Sequence, residues 1–446
     1  MYNKYRFIPI FQGNTMLETY LPRVADDELS FRLETFGAVL IEGPKWCGKT
    51  TTAQQHSKSA LYLQDPDMRE EYLQTADVKP SLLLAGKQPR LLDEWQDAPV
   101  LWDAVRTSVD REKREGLYIL TGSTSVDTSA IKHSGTGRIS RMKMYPMSLA
   151  ESGESNGQIS LKALFDREIA EVDSAQSDLK IEELVFAACR GGWPESLRRK
   201  NDRARLAIAK DYLRQVYEVD ISTVDRVARN PTWASILLRS YARNVSTLAK
   251  NKAIFEDVTA NTEMDSILTM NSYIEALERI FVIENQSAWT PRIRSATSIR
   301  SGVKRQFTDP SIAVSALGVS PDFFYQDLKT FGFIFETLCV RDLRVYSSSA
   351  GGKISFFRDR YGLEADAVVH LDDGRYALVE FKLGSREIEA GAAHLLKIRE
   401  LVRKANTEAK KGLIREPDLL IVLTGGRFAY TRKDGVHVIP IGCLGA

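Results

Sequence analysis

Eight consecutive residues, Gly43-Pro44-Lys45-Trp46-Cys47-Gly48-Lys49-Thr50, match the pattern G-x-x-x-x-G-K-[ST] and stand between the apolar run Val39 to Glu42 and a helix opening Thr51, Thr52, Ala53. Such a loop is suited to a chain of phosphates. Glycines at both ends let the backbone curl so that its N–H groups face phosphate oxygens, and the positive end of the following helix adds to the attraction. Gly43 through Thr51 are therefore the expected ATP contact, with Lys49 at the β- and γ-phosphates and Thr50 on Mg²⁺. Pro89-Arg90-Leu91-Leu92-Asp93-Glu94 reads as a strand ending in two carboxylates. Phosphoryl transfer needs placement and charge neutralisation more than covalent chemistry, so Asp93 is expected to hold Mg²⁺ and Glu94 to orient the attacking water. The plainer alternative is that the pair caps a helix. Leu120-Thr121-Gly122-Ser123-Thr124 ends a further apolar run and offers Ser123 as a γ-phosphate sensor. Arg138 and Arg141 follow the flexible turn Gly135 to Gly137 and could stabilise transition-state charge in the same or a neighbouring subunit, or simply be solvated surface charge.

A second set of charged residues lies near the C-terminus. Glu336 falls on a helical pattern, Asp366 in an apolar strand, and Glu380-Phe381-Lys382 at the end of the next strand. Side chains alternate across a strand, so Glu380 and Lys382 share a face that Asp366, or Glu364 in its place, could join from a paired strand. Carboxylates so grouped could bind Mg²⁺ and, with Lys382, activate water for phosphodiester cleavage; a retained ion-pair network is the alternative. Arg292, Arg294, Arg300, Lys304 and Arg305 lie in a stretch, Asn285 to Thr308, that contains no acidic residue. A basic wing of this kind, after a helix at Met270 to Ile280 and a strand at Phe281 to Glu284, suits the phosphates of duplex DNA. Arg198, Arg199, Lys200, Arg203, Arg205, Lys210 and Arg214 crowd a helical segment that is either a second contact or a solvated face.

The elements that must position these groups follow from the apolar pattern. Val39 to Glu42, Leu61 to Gln64, Arg90 to Asp93 and Tyr118 to Thr121 are short apolar runs separated by helical segments, the pattern of a parallel sheet with crossover helices. From Ile181 to Glu284 the spacing is helical, and after Thr330 a helix, three strands, a helix and a last strand at Asp418 to Leu423 form a second α/β region. The expected divisions are a tail over 1–19, a P-loop α/β domain over 20–160, a helical domain over 181–320 and a second α/β domain over 330–446. At 446 residues more than one core is needed, and 43% hydrophobic with 27% charged residues fits a soluble, cytoplasmic chain without a membrane partner. Four scattered cysteines and five histidines show no zinc spacing. The net charge of +2 does not announce a nucleic-acid binder, so any DNA surface must be local.

The P-loop, Leu91-Leu92-Asp93-Glu94-Trp95-Gln96, Leu120-Thr121-Gly122-Ser123, and Gly137-Arg138 followed by Tyr145-Pro146-Met147-Ser148-Leu149-Ala150-Glu151 together resemble a family of prokaryotic AAA-type ATPases, from about Tyr20 nearly to the end of the chain. That resemblance implies a winged-helix-like middle segment and a C-terminal domain similar to the PD-(D/E)xK, restriction-endonuclease-like fold, whose acidic set would be Glu336, Asp366 and Glu380 with Lys382. The expectation is an ATP- and Mg²⁺-dependent ATPase that couples nucleotide state to DNA binding or processing, with a homo-oligomer as one arrangement. The alternative is an ATP-dependent switch that binds a protein partner and carries an inactive nuclease-like domain.

Overall fold

The computed structural model describes residues 8–12, 15–125, 134–169, 172–291, 302–408 and 413–446. They divide into two compact units, Met1–Pro146 with Arg279–Phe281, and Met147–Glu278 with Val282–Ala446.

The first unit opens on a hairpin of β1 (Ile8–Gln12) and β2 (Thr15–Tyr20), where a structureless tail is expected from sequence. A parallel sheet follows: β3 (Ala38–Glu42), β4 (Ser59–Tyr62), β5 (Arg90–Asp93), β6 (Tyr118–Gly122) and β7 (Ile139–Lys143), in the spatial order β4-β5-β6-β3-β7. Strands β3 and β6 are apolar on both faces because helices cover both. Leu29 and Leu33 of α1 (Val24–Thr35) pack with Val39 and Ile41 on one side, while Leu101, Trp102 and Val105 of α4 (Val100–Glu112) meet Ala38, Leu40 and Leu120 on the other. The edge strand β7 was not among the expected strands: only Ile139 and Met142 of its five residues are apolar, too few to mark a strand by run length. The register sets Glu42 beside Gly122 and Leu92 beside Leu120. The loops leaving β3, β5 and β6 therefore emerge side by side at the carboxyl edge of the sheet, where open α/β sheets bind ligands.

The second unit carries helices α5 (Ile181–Arg190), α6 (Asp202–Gln215), α7 (Pro231–Arg243), α8 (Asn251–Thr259) and α9 (Ile267–Arg279). The strand expected at Phe281 to Glu284 is reduced to isolated bridges, Ile283 to Phe307 and Gln286 to Lys304, so the segment is the base of a narrow hairpin arm. Helices α10 (Pro310–Leu317) and α11 (Leu328–Ser347) lead into β8 (Lys353–Arg358), β9 (Glu364–His370) and β10 (Tyr376–Lys382), an antiparallel meander. After α12 (Ile388–Glu408), strand β11 (Leu419–Thr424) returns parallel to β10, and β13 (His437–Pro440) and β12 (Tyr430–Thr431) complete the order β12-β13-β11-β10-β9-β8. Ile388, Ala392, Leu395 and Ile398 of α12 cover the sheet face that carries Val368, Leu378, Leu420 and Val422. Backbone bonds Trp289 N to Phe356 O (2.8 Å) and Phe356 N to Ser287 O (3.0 Å) pair the hairpin arm with β8, which protects that sheet edge.

The expected helical and C-terminal domains form one unit because a polar network is buried between them. The Arg341 guanidinium reaches Asp309 Oδ2 at 3.1 Å and Asp342 Oδ1 at 2.7 Å; Asp309 in turn accepts from Gly192 N, and Asp342 from Leu149 N. Gly191 and Gly192 allow this approach, since a Cβ on Gly192 would lie 2.1 Å from the Met147 carbonyl oxygen. This unit starts at Met147, earlier than the boundary near residue 160 expected from composition. No helix among the described residues is long and apolar enough to cross a membrane.

Candidate nucleotide site and carboxylate cleft

The loop after β3 is shaped by two glycines. A Cβ on Gly43 would lie 2.1 Å from the Met144 carbonyl oxygen, and Gly48, at φ 102°, takes the left-handed conformation that only glycine adopts without strain as it caps α2 (Lys49–His56). The Lys49 ammonium is buried and donates to the carbonyls of Gly43 and Pro44 at 3.0 and 2.8 Å, so it lies across the loop it must serve. Pro44, Lys45, Trp46 and Cys47 form the crown: Trp46 is half-exposed, whereas Cys47 is buried. Arg23, which no sequence motif marks, braces the crown by donating to Cys47 O at 2.7 Å and Tyr145 O at 2.8 Å.

Asp93 ends β5 directly beneath the start of α2. Its Oδ1 accepts the hydroxyl of Thr50 at 2.7 Å and that of Thr121 at 2.6 Å. Burial raises the Asp93 carboxyl above its ordinary range, and these two hydroxyls oppose the rise. Glu94 turns off the strand at φ 53°, its N–H donating to Thr121 Oγ1 at 3.1 Å. Its carboxylate accepts from Ser123 Oγ at 2.9 Å and from Gln96 Nε2. Thr51 continues α2 one residue past Thr50. The structure thus brings Lys49, Thr50, Asp93, Glu94 and Ser123 to one sheet edge. Thr121 and Gln96 are tied to them; both lie in motif segments, but only the register shows that they touch the two acids.

The arginines fall elsewhere. The Arg138 carbonyl accepts from Ala38 N at the opposite end of β3, and its guanidinium pairs with Asp110 at 2.8 Å. Four residue steps at about 3.3 Å put it roughly 13 Å from the phosphate edge. Arg141 lies beside Leu40 at mid-strand, with its guanidinium 5.2 Å from the Trp102 ring centroid. Strand register thus presents Arg138 just before β7 and Arg141 at its middle, not in the loops that carry Lys49, Asp93 and Ser123.

Three family models match in succession: an AAA domain over residues 35–153, a domain of unknown function (DUF8612) over 181–322 and a domain of unknown function (DUF4143) over 331–444. Residues 35–153 form a P-loop ATPase domain similar to the AAA domain family. Among curated proteins there is no match. Solved structures similar to this chain include the Walker-type ATPase PABY2304 of Pyrococcus abyssi, 13% identical, with a TM-score of 0.40 over 65% of this chain and 94% of that one.

Outside the ATPase domain, the second unit gathers the other charged set in a cleft of about 410 Å³. Glu336 comes from α11, Glu364 and Asp366 from β9, Glu380 and Lys382 from β10. The Lys382 ammonium is 2.7 Å from Glu380 Oε2 and 3.6 Å from Asp366 Oδ2, and Asp366 also accepts from Phe381 N at 3.0 Å. Gly391 lets α12 pass close above, since a Cβ there would come within 3.2 Å of Lys382 Cε. Burial pushes Glu380 up to about 8 and Glu336 up to about 7, against the pull of Lys382 and Lys304 respectively. Burial would raise Asp366 too, but Lys304 and Lys382 together hold it below the usual range.

Lys304 and Arg305 belong to this interior, which corrects their placement on an exposed wing. Arg305 is buried and donates to Ala249 O at 2.8 Å and Asn251 Oδ1 at 2.5 Å. Lys304 sits among the carboxylates. A run of basic residues looks alike whether it faces water or buried acids, and the acids here are distant in sequence. Arg292, Arg294 and Arg300 lie outside the described residues. Of the basic helical set, Arg198 and Arg199 pair with Glu195, Arg205 with Asp202 and Arg214 with Glu218, as on a solvated face.

Proposed function

We propose that this chain is a Mg²⁺-dependent ATPase whose nucleotide state governs DNA binding by the second unit. What carries the hydrolytic half is the double hydroxyl contact on Asp93, which ties the phosphate loop through Thr50 to the tip of β5 at hydrogen-bond distance. The donor set fits the ion: Thr50 and Asp93 are oxygen ligands of the kind Mg²⁺ takes alongside phosphate and water. Mg²⁺ would supply charge neutralisation between phosphate oxygens. Gly43 to Thr51 hold the triphosphate, Lys49 exchanging the loop carbonyls for phosphate oxygens. Glu94 orients water, and Ser123, bonded to it, reports whether a γ-phosphate is present. Arg138 and Arg141, set back from the phosphate edge, are assigned to a neighbouring copy of the chain.

For DNA, the support is the basic stretch of sequence that holds Arg292, Arg294 and Arg300 with no acidic residue among them. The withdrawal of Lys304 and Arg305 into the interior favours a second reading, in which the partner is a protein. One experiment separates them: ATP turnover by the full chain with Mg²⁺, with and without duplex DNA. Turnover lost in Lys49→Ala and raised by DNA is expected, with the rise abolished by charge reversal at Arg292, Arg294 and Arg300. Folded protein that takes up no ATP with Mg²⁺ would overturn the hydrolytic assignment. Turnover indifferent to DNA would leave the protein-partner reading.

A further inference from the structure

Lys304 is one of the most deeply buried charged residues of the second unit, at 3% exposure. Its backbone is pinned in the hairpin arm by two bonds with Gln286, N–H to O in each direction at 3.0 Å. From there its ammonium meets Glu336 Oε2, Glu364 Oε1 and Asp366 Oδ1, each at 3.2 Å. A buried ammonium is tolerated only when its charge is met, and here three carboxylates meet it at ion-pair distance, with Asp366 Oδ1 also accepting a hydrogen bond. These carboxylates come from one helix and one strand, so the lysine stands where they converge.

A divalent cation bound by the same oxygens would need to sit about 2.0–2.6 Å from each, inside the volume that Nζ fills. Among the described residues no group of three or more His, Cys, Asp or Glu side chains is arranged to hold a metal. The second ammonium, that of Lys382, takes up Glu380 and the other oxygen of Asp366. The metal site expected from Glu336, Asp366 and Glu380 therefore does not fit the geometry. We propose that Lys304 is a tethered cation standing in the place of a divalent metal, so that the cleft of the second unit is neutralised from within and works without metal-dependent phosphodiester cleavage.

Mn²⁺ binding to the full chain without nucleotide tests this, read as bound ions per chain by the spectroscopic signal of free Mn²⁺. Any ion held near Thr50 and Asp93 is common to all variants and cancels. Asp366→Asn should leave the count of the natural chain unchanged, because Lys304 already fills the site. Lys304→Met should gain one Mn²⁺ per chain and a Mn²⁺-dependent rise in melting temperature, both lost when Asp366→Asn is added. A count that falls by one in Asp366→Asn alone overturns the proposal, as does a folded Lys304→Met that gains none. Should Lys304→Met fail to fold, the single Asp366→Asn comparison decides.

Discussion

Thr121→Val is the sharpest probe of the ATPase site. The Thr121 hydroxyl is wholly buried, donates to Asp93 Oδ1 at 2.6 Å and accepts from Glu94 N at 3.1 Å. Valine has nearly the same shape and removes both bonds at once. A hydrogen bond to a charged group contributes about 1.5–3 kcal/mol and a neutral one about 0.5–1.5 kcal/mol. Asp93 keeps its bond from Thr50 at 2.7 Å, which argues for the lower half of the combined range, about 2–3 kcal/mol. If that loss is felt in the transition state, turnover falls about 30- to 150-fold. Nucleotide affinity should change much less, because the phosphate loop and Lys49 are untouched. Thr121→Ser restores both bonds and should recover most of the rate. The assay is steady-state ATP hydrolysis beside nucleotide binding by displacement of a fluorescent analogue. A folded valine variant with the natural kcat would refute the claim that this hydroxyl positions the two acids.

Further outcomes follow from the same geometry. Glu94→Gln keeps the size of the side chain but cannot polarise water, so turnover should drop about 10²- to 10⁴-fold while equilibrium nucleotide binding persists. Arg341→Met strands the Asp309 and Asp342 carboxylates in the interior and should cost the second unit about 3–5 kcal/mol in chemical denaturation. The raised carboxyls of Glu336 and Glu380 bind protons more tightly folded than unfolded, so stability is fully present below their unfolded value of 4.5 and is lost as pH rises through about 7 and about 8. The urea midpoint of the second unit should accordingly decline over that window; a midpoint rising from pH 5 to about pH 9 would contradict the burial of these groups.

Much of the ATPase domain could be read before any coordinates. The phosphate loop works through residues adjacent in sequence, and its glycines, lysine and threonine have fixed tasks at fixed spacing. Asp93 and Glu94 were legible because a buried parallel strand is a short apolar run, and its carboxyl end falls where the run stops. The arginines were not: Arg138 and Arg141 follow a flexible turn that would suit a catalytic arm, yet the pairing of Ala38 with Ile139 puts Arg138 at the far end of the sheet and Arg141 at mid-strand.

The same division holds in the second unit. Alternation within β10 sufficed to set Glu380 and Lys382 on one face, and helix periodicity marked α11. The sequence by itself also determined which residue types could neutralise one another. Only the tertiary structure decided that Lys304, 32 residues ahead of Glu336 and 62 ahead of Asp366 in the chain, is their partner rather than a contact for phosphate. Local pattern reports backbone period and burial, which depend on near neighbours. The identity of a buried charge's partner depends on which distant segments the fold brings within about 4 Å, a distance at which the interaction becomes strong enough to choose between water and protein.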